Sequence, residues 1–379
     1  MKKNLILKAA LLSCCFVTAS VNAVAGNIPA MEAAFPDVPA YLIELMTTIP
    51  SLLSMVSVLL AGKIASVTGY KKMVLGGCLL SGAAGTLPFF LRSIWLILAA
   101  RAAFGFGCGL ISSSLLILIV YFFQGDERSQ MIGLQGSAGG LASLVTAFIA
   151  GRLLVFGWNV SFLVYLFGFA VFFVFLLFVP HVGSIHSASA SGEKQPAGKT
   201  AGLIGLGILM FVSVLAATLF VIKCASLAEV KNLASGGSGS LLVMCISAGS
   251  LIAGFFYGNM MKILKRIALP VFYLICAAGF VMAAYASDIL FMYIGAFLLG
   301  FGYLAFVPFL QERVSDSYAG FGSAGTSVVL VFQGLGAFAA PYLGTVLGVF
   351  TSSLSGQFIL TAGIFAALAV LSAFLYRKA

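Results

Sequence analysis

Twelve long apolar runs divide the sequence, and they constrain the fold more than any other feature. They lie at 5–25, 41–61, 73–91, 94–122, 130–150, 160–179, 203–222, 240–258, 269–286, 289–310, 323–348 and 357–375. A helix needs about 20 apolar residues to cross a bilayer core about 30 Å thick. Lipid allows only helices or closed barrels, and continuous rather than alternating runs favour helices. The predicted fold class is an all-α integral membrane protein with twelve transmembrane helices.

Composition excludes several other classes. With 62% hydrophobic and 8% charged residues, the chain is too apolar to bury its apolar surface in one water-soluble core. The net charge of +10 would suggest nucleic acid in a soluble protein, but in a membrane protein its distribution matters more, so we expect a lipid bilayer and no nucleic acid as partner. The seven cysteines are an odd number without a Cys-x-x-Cys spacing. They predict neither a disulfide framework nor a metal site, and we expect no cofactor.

The two halves of the chain resemble each other. Lys71-Lys72 returns as Lys265-Arg266, and Gly105-Phe106-Gly107 returns as Gly300-Phe301-Gly302, at a shift of about 194 positions. A Ser/Ala/Gly-rich polar segment that holds His181 and His186 separates the halves, and we expect both histidines to be solvated. The predicted organisation is a six-helix bundle at 1–180, a linker at 181–200 and a second six-helix bundle at 201–379.

The first apolar run has two interpretations. Lys2 and Lys3 precede it and Ala23-Val24-Ala25 resembles a cleavage site, as in a secretory signal. On the 194 shift, however, 7–25 corresponds to 201–219, an internal run, and its removal would leave one repeat incomplete. We therefore expect a retained helix.

Basic residues lie mainly in loops on one side of the predicted membrane. If the N-terminus is cytoplasmic, fifteen of the twenty Lys and Arg residues fall on that side, whereas Lys223 and Lys231 are among the few on the other. Positive loops stay in the cytoplasm. We expect both termini there.

Residues 62–71 read GKIASVTGYK and follow the second run. Together with the parallel 6+6 repeat, they resemble the Major Facilitator Superfamily of secondary transporters, whose loop there reads G-x-L-A-D-R-x-G-R-K. Gly62, Gly69 and Lys71 are kept, whereas Ser66 replaces the Asp. The resemblance implies that this loop belongs to a gate, and the missing carboxylate predicts a weaker one, although Ser66 could still cap a helix.

A second family pattern, R-x-x-x-G-x-G-x-G, lies on the fourth run as Arg101, Gly105, Gly107 and Gly109. The glycines either line a cavity or let helices approach closely, and we favour close packing. The Gly-Pro-x-x-Gly-Gly pattern of many drug/proton antiporters is missing from the fifth run. In the second half, Pro341 breaks the equivalent eleventh run instead. The sequence therefore supports antiport less strongly than it supports the fold.

Arg101 and Glu44 are the two charges that lie convincingly within apolar runs. An ionised side chain at the bilayer centre costs about 2.5–3.5 kcal/mol, so both are functional candidates. We expect Glu44 to take up and release a proton, with Arg101 as a neighbouring counter-charge. The alternative is that Glu44 faces water at the interface and that Arg101 binds backbone carbonyls of the first helix.

Four polar residues complete the candidate set: Asn22, Gln135, Tyr303 and Gln333 lie on helices that line the central cavity in the resembled fold. Each could equally hydrogen-bond between helices.

The resemblance implies a monomeric secondary transporter that works by alternating access in a bacterial inner membrane. We expect proton-coupled efflux of a small neutral or lipophilic solute, with a cationic solute as a variant. Uptake with protons and facilitated diffusion remain alternatives, as does a non-transporting sensor. A membrane enzyme is disfavoured, because two His and ten acids, mostly in loops, offer no catalytic cluster. The sequence contains no Gly-x-x-x-x-Gly-Lys-Ser/Thr motif for nucleotide binding, so we do not expect ATP to drive transport.

Overall fold

The computed structural model describes residues 2–180, 197–233, 238–317 and 323–377, and the regular elements in those ranges are helices. They are α1 (Lys2–Ala19), α2 (Ile28–Ala34), α3 (Ala40–Thr68), α4 (Tyr70–Thr86), α5 (Ile94–Phe122), α6 (Gly125–Leu154), α7 (Phe167–Phe178), α8 (Ala197–Val230), α9 (Ser238–Leu264), α10 (Ala268–Ala284), α11 (Ile289–Ser317), α12 (Ser323–Phe350) and α13 (Leu354–Arg377). Short 3-10 segments lie at Ser20–Asn22, Ala25–Asn27, Leu87–Phe89, Val160–Leu166 and Lys265–Ile267.

Within those ranges, eleven helical stretches are long and apolar enough to cross a membrane, and Ala268–Ala284 is a shorter apolar helix. They follow the twelve predicted runs, so the all-α integral membrane class is confirmed. The largest differences are at two ends. The first span, Leu5–Ala34, continues past a break of 3-10 turns, and the seventh, Gly202–Val230, ends eight residues later than predicted. Lys223 therefore lies inside a span rather than in a loop.

The chain forms two compact units. The first consists of residues 1–24 and 45–188, and the second of 25–44 and 189–379. Residues 25–44 thus group with the second unit rather than with the predicted first bundle. Residues 181–196 of the predicted linker, with His181 and His186, lie outside the described residues.

The first unit packs through small residues and one short ion pair. Gly77 on α4 faces Gly107 on α5, where an added Cβ would come within 2.8 Å of the Gly107 carbonyl oxygen. Lys8 on α1 pairs with Glu127 on α6 at 2.6 Å, and the Cys15 thiol of α1 donates to the Gln135 carbonyl at 3.6 Å. These contacts join α1 to α6 within the unit.

The second unit has an aromatic core. Its buried rings contact one another at centroid distances of 5.0–6.0 Å, and they are Phe220, Tyr273, Phe280, Phe358 and Phe365. The hydroxyls of Ser213 and Tyr273 hydrogen-bond at 2.7 Å, which satisfies the one polar atom of these rings.

The sequence repeat corresponds to a contact between two helices that occurs in both units. An added Cβ at Gly107 would lie 2.8 Å from the Gly77 carbonyl oxygen, and one at Gly302 would lie 2.9 Å from the Phe272 oxygen. Both members of the second pair are 195 positions after those of the first (302 − 107 and 272 − 77). The same close approach of two helices therefore occurs once in each unit.

Candidate functional site

Arg101 lies on α5 and is completely buried in the first unit. Its Nε donates to the Met46 carbonyl at 2.7 Å and its Nη2 to the Val21 carbonyl at 3.0 Å. The guanidinium lies over the rings of Phe104, at 4.6 Å, and Tyr165, at 5.0 Å. Arg101 is thus bound by backbone oxygens and aromatic faces, the second of the two roles that the sequence allowed.

Both carbonyls belong to helix breaks. Pro50 lies inside α3 and has no N–H, so the Met46 carbonyl four residues earlier loses its helical donor. Val21 lies in the 3-10 segment that interrupts the first span. Arg101 supplies a donor to each break, which explains why it is buried although no acid among the described residues forms an ion pair with it.

The three glycines of the α5 motif are sites of close helix packing. A Cβ at Gly105 would lie 2.2 Å from the Pro50 oxygen, and one at Gly109 would lie 1.9 Å from the Ser57 hydroxyl. Gly107 points to the other neighbour, with the Ser81 hydroxyl at 2.4 Å. Gly105 and Gly109 let α3 approach, and Gly107 lets α4 approach.

The predicted gate loop is a single residue between two helices. Gly69 separates α3 from α4 with φ at 78°, a conformation that favours glycine. Gly62 lies on the exposed side of α3, where nothing is within 4 Å of an added Cβ. Ser66 does not cap a helix as the sequence suggested, because it lies inside α3 and donates to the Lys63 carbonyl at 2.7 Å.

Two lysines bind the last carbonyls of other helices. Lys71 donates to Leu176 at 3.1 Å and to Val179 at 2.5 Å, at the end of α7. Lys231 donates to Ala284 at 2.7 Å and to Ala286 at 2.9 Å, at the end of α10. Burial lowers the pKa of the Lys231 amine, which lies just outside a span. Cations at these positions complement the helix dipole.

Glu44 pairs with Lys223, not with the expected Arg101. The Lys223 Nζ donates to Glu44 Oε1 at 2.6 Å, and the two side chains are 13% and 3% exposed. Both residues belong to the second unit, Glu44 on α3 and Lys223 on α8. Lys223 is the residue that sequence reasoning missed, because the seventh run was ended one residue before it.

A second carboxylate, Glu32, lies near the pair, and a third, Glu229, lies near Glu32. Glu32 on α2 hydrogen-bonds with Ser226 and interacts electrostatically with Glu44, Lys223 and Glu229. Glu32 is partly buried, whereas Glu229 is exposed. Glu32 and Glu44 beside one lysine give a formal local charge of −1 when all three groups are ionised, and Glu229 adds a negative charge near Glu32. The cluster can therefore bind a proton or another cation more readily than an anion.

Pro341 lies inside α12, as predicted, and leaves the Ala337 carbonyl without its helical donor. The Thr345 hydroxyl donates to the Pro341 carbonyl at 3.3 Å.

The four predicted cavity residues lie in different surroundings. Asn22 is exposed, and Gln135 is partly buried and accepts from Cys15 through its backbone. In the second unit, the Gln311 amide donates to Gln333 at 3.1 Å and the Tyr303 hydroxyl also interacts with Gln333. Tyr303 and Gln333 are thus brought together by hydrogen bonding between α11 and α12.

The described residues hold no group of three or more His, Cys, Asp or Glu side chains that could bind a metal ion.

The profile of the Major Facilitator Superfamily matches residues 10–228, more than half of the chain. No curated protein matches in a sequence search. Among solved structures, the human organic anion transporter MFSD10 (TETRAN) superposes with a TM-score of 0.69 at 17% identity, over 99% of this chain and 98% of that one. This likeness concerns the fold. The chain therefore belongs to the Major Facilitator Superfamily and is a multi-pass membrane protein of the secondary transporter class.

Proposed function

We propose that the chain exports a small lipophilic solute, neutral or cationic, in exchange for protons, with Glu44 as the proton-binding group and Lys223 as its counter-ion. The observation that carries the proposal is the buried Glu44–Lys223 ion pair. Lys223 takes the counter-charge role that the sequence suggested for Arg101, whose side chain is committed to backbone carbonyls.

A buried ion pair of this kind is sensitive to a proton. Breaking such a pair by removing one charge is strongly destabilising, by about 3–5 kcal/mol, because the remaining charge is left uncompensated. Protonation of Glu44 removes the negative charge in the same way and leaves Lys223 to find another partner or more water. The protonated and deprotonated states therefore favour different arrangements of α3 and α8, as proton-coupled alternating access requires.

The charge around the pair supports the solute class. Glu32 and Glu44 outnumber Lys223, so an organic cation is favoured over an anion at this site. Exchange of one proton for one monovalent cation moves no net charge, so a pH difference alone drives it. The membrane potential, worth about 2.3 kcal/mol per charge per 100 mV, adds to the driving force when a neutral solute leaves or when more protons enter than cations leave.

We place the protein in a bacterial inner membrane as a monomer, with both termini in the cytoplasm. The support is the distribution of the basic residues and the resemblance to drug-efflux members of the family. Labelling of single cysteines near Lys2 and Arg377 with a membrane-impermeant reagent tests the orientation. Reaction from outside intact cells contradicts it.

The test of function uses purified protein in liposomes that contain a pH-sensitive dye. Tetraphenylphosphonium and ethidium are the cationic probes. Under antiport, a gradient of either probe drives protons in the opposite direction, whereas symport drives them in the same direction. Glu44→Gln abolishes proton movement, and Asp37→Asn, which removes an exposed acid of the same segment, leaves it unchanged. Full proton-coupled transport by Glu44→Gln would refute the proposal.

A second candidate is transport of an organic anion. Protonation of Glu44 frees the Lys223 ammonium, to which a solute carboxylate could then bind, and the matching human structure is that of an organic anion transporter. The same liposomes distinguish the two functions. Movement of protons with benzoate, and none with either cation, favours the anion.

A further inference from the structure

Gly344 on α12 lies directly against the Lys223 side chain. A Cβ added at Gly344 would be 2.4 Å from Lys223 Cε, 3.2 Å from its Nζ and 3.3 Å from Leu219 Cδ1. Carbon atoms normally approach to about 3.5–4.0 Å, so a methyl group at Gly344 would require the flexible end of the Lys223 side chain to shift. The lysine methylenes fill the space that the missing side chain leaves on α12.

Gly344 lies at nearly the same depth as Lys223 and slightly deeper than Glu44. Glu44 is four residues from the start of its span, Lys223 is seven from the end of its own, and Gly344 is six from the end of the α12 span. At 1.5 Å per residue these depths are roughly 6, 10 and 9 Å. Near Glu44, the rings of Tyr41 and Tyr342 lie 6.1 Å apart and join α3 to α12.

α12 is weakened one turn before this contact. Pro341 cannot donate to the Ala337 carbonyl, and kinks and bends in helices occur most often at proline. A change of bend at Pro341 moves the α12 backbone at Gly344, which is in direct contact with Lys223.

We propose that Gly344 is a positioning residue for proton exchange: the α12 backbone at Gly344 holds the Lys223 ammonium on Glu44, and bending at Pro341 releases it. The inference rests on the proposed function of Glu44. The bond can be broken by a small movement. A displacement of roughly 1 Å lengthens the 2.6 Å contact beyond the usual limit of about 3.2 Å for a hydrogen bond.

Among the described residues, Glu32 on α2 interacts electrostatically with both members of the pair, and Glu229 on α8 interacts with Glu32. From α12 the neighbour beside Gly344 is the phenol of Tyr342. An ammonium that leaves Glu44 therefore has Glu32 as a nearby acceptor, and the α12 side contributes the backbone of Gly344 rather than a charge.

The test measures the ionisation of Glu44 without a solute, by pH-dependent infrared spectroscopy of the purified protein. The carboxyl band that disappears in Glu44→Gln belongs to Glu44. In Gly344→Ala the methyl group displaces Lys223, so the midpoint of this band rises by about one pH unit or more. Gly348→Ala, one turn further along α12, meets only the Gln357 amide at 3.8 Å and leaves the midpoint unchanged.

A second measurement holds even if Gly344→Ala folds poorly. In the Lys223→Ala background the clashing Cε is gone and only the 3.3 Å approach to Leu219 Cδ1 remains, so adding Gly344→Ala lowers the thermal midpoint much less than it does in the wild-type protein. Equal damage by Gly344→Ala in both backgrounds overturns the inference, as does an unchanged band midpoint in Gly344→Ala. A Glu44→Gln protein that keeps every titrating band refutes Glu44 as the proton site instead, which separates the two failures.

Discussion

Replacement of Arg101 by Met should destabilise the first unit by about 4 kcal/mol. Arg101 donates to the carbonyls of Met46 and Val21, and both lie at helix breaks where no backbone donor replaces it. A hydrogen bond from a charged donor contributes about 1.5–3 kcal/mol, and bonds between membrane helices lie near or below the lower figure, at most about 1.7 kcal/mol. Two bonds at about 1.5 kcal/mol each, with about 1 kcal/mol for the contacts with Phe104 and Tyr165, give this sum.

The proline makes this reasoning testable. In a Pro50→Ala background, the backbone N–H at position 50 can donate to the Met46 carbonyl, so one of the two bonds is no longer needed. Arg101→Met should then cost about 1–2 kcal/mol less than in the wild-type protein. Unfolding of the four proteins in mixed detergent micelles measures this coupling, with Arg92→Met, which removes an exposed arginine, as control. A coupling energy within about 0.5 kcal/mol of zero would show that Arg101 does not replace the missing donor.

Three further predictions concern the packing of the first unit. Gly105→Ala should abolish folded protein on size-exclusion chromatography, because its methyl group meets the Pro50 backbone, whereas Gly62→Ala meets nothing and should be neutral or slightly stabilising. Lys71→Ala should lower stability in denaturant titrations by about 1–2 kcal/mol through the loss of two bonds to the end of α7, and the exposed Lys72→Ala should not; equal effects would refute this cap. Charge reversal at Lys8 or at Glu127 alone should lower the thermal midpoint, and the double reversal should recover most of it, which additive losses would contradict.

The spans could be predicted from the sequence because lipid imposes one simple requirement. Every span needs about 20 apolar residues, and that signal is local. The ends were less predictable where a charge lies inside an apolar stretch. The seventh apolar run in the sequence ends at Ile222 because the charged residue Lys223 follows. In the structure, Cys224, Ala225 and Leu227 continue the buried face of the helix. A lysine is tolerated there because its partner comes from another part of the chain, which no local pattern records.

In the candidate site, too, some features could be predicted from the sequence and others could not. The presence of Arg101 and Glu44 within spans was predictable, since charges in apolar runs are rare. Their partners were not, because Lys223 and Glu44 are 179 residues apart and Arg101 binds carbonyls that only the folded helix breaks expose. Pro50 was the one available signal: a proline inside a span predicts a carbonyl that needs a donor.

Comparison of the two repeats distinguishes residues that both halves need for helix packing from residues that occur in one half only. Gly105 and Gly107 have counterparts at Gly300 and Gly302, and all four permit close approach of helices. Arg101 has no such counterpart, since Ala296 lies 195 positions later. The reason is structural, because the region that corresponds to Pro50, at 245–246, contains no proline and its helix needs no external donor.

The Glu44–Lys223 pair is also unrepeated, but no helix break explains it. The positions related to these residues by 195 are Gly239 and Ile28, neither of which carries a charge. Neither side chain supplies a missing backbone donor; Lys223 binds the Glu44 carboxylate instead. A well-packed apolar pair is often as stable as a buried ion pair, so stability alone does not account for these charges. Proton coupling should therefore be sought at Glu44 and Lys223 rather than at Arg101.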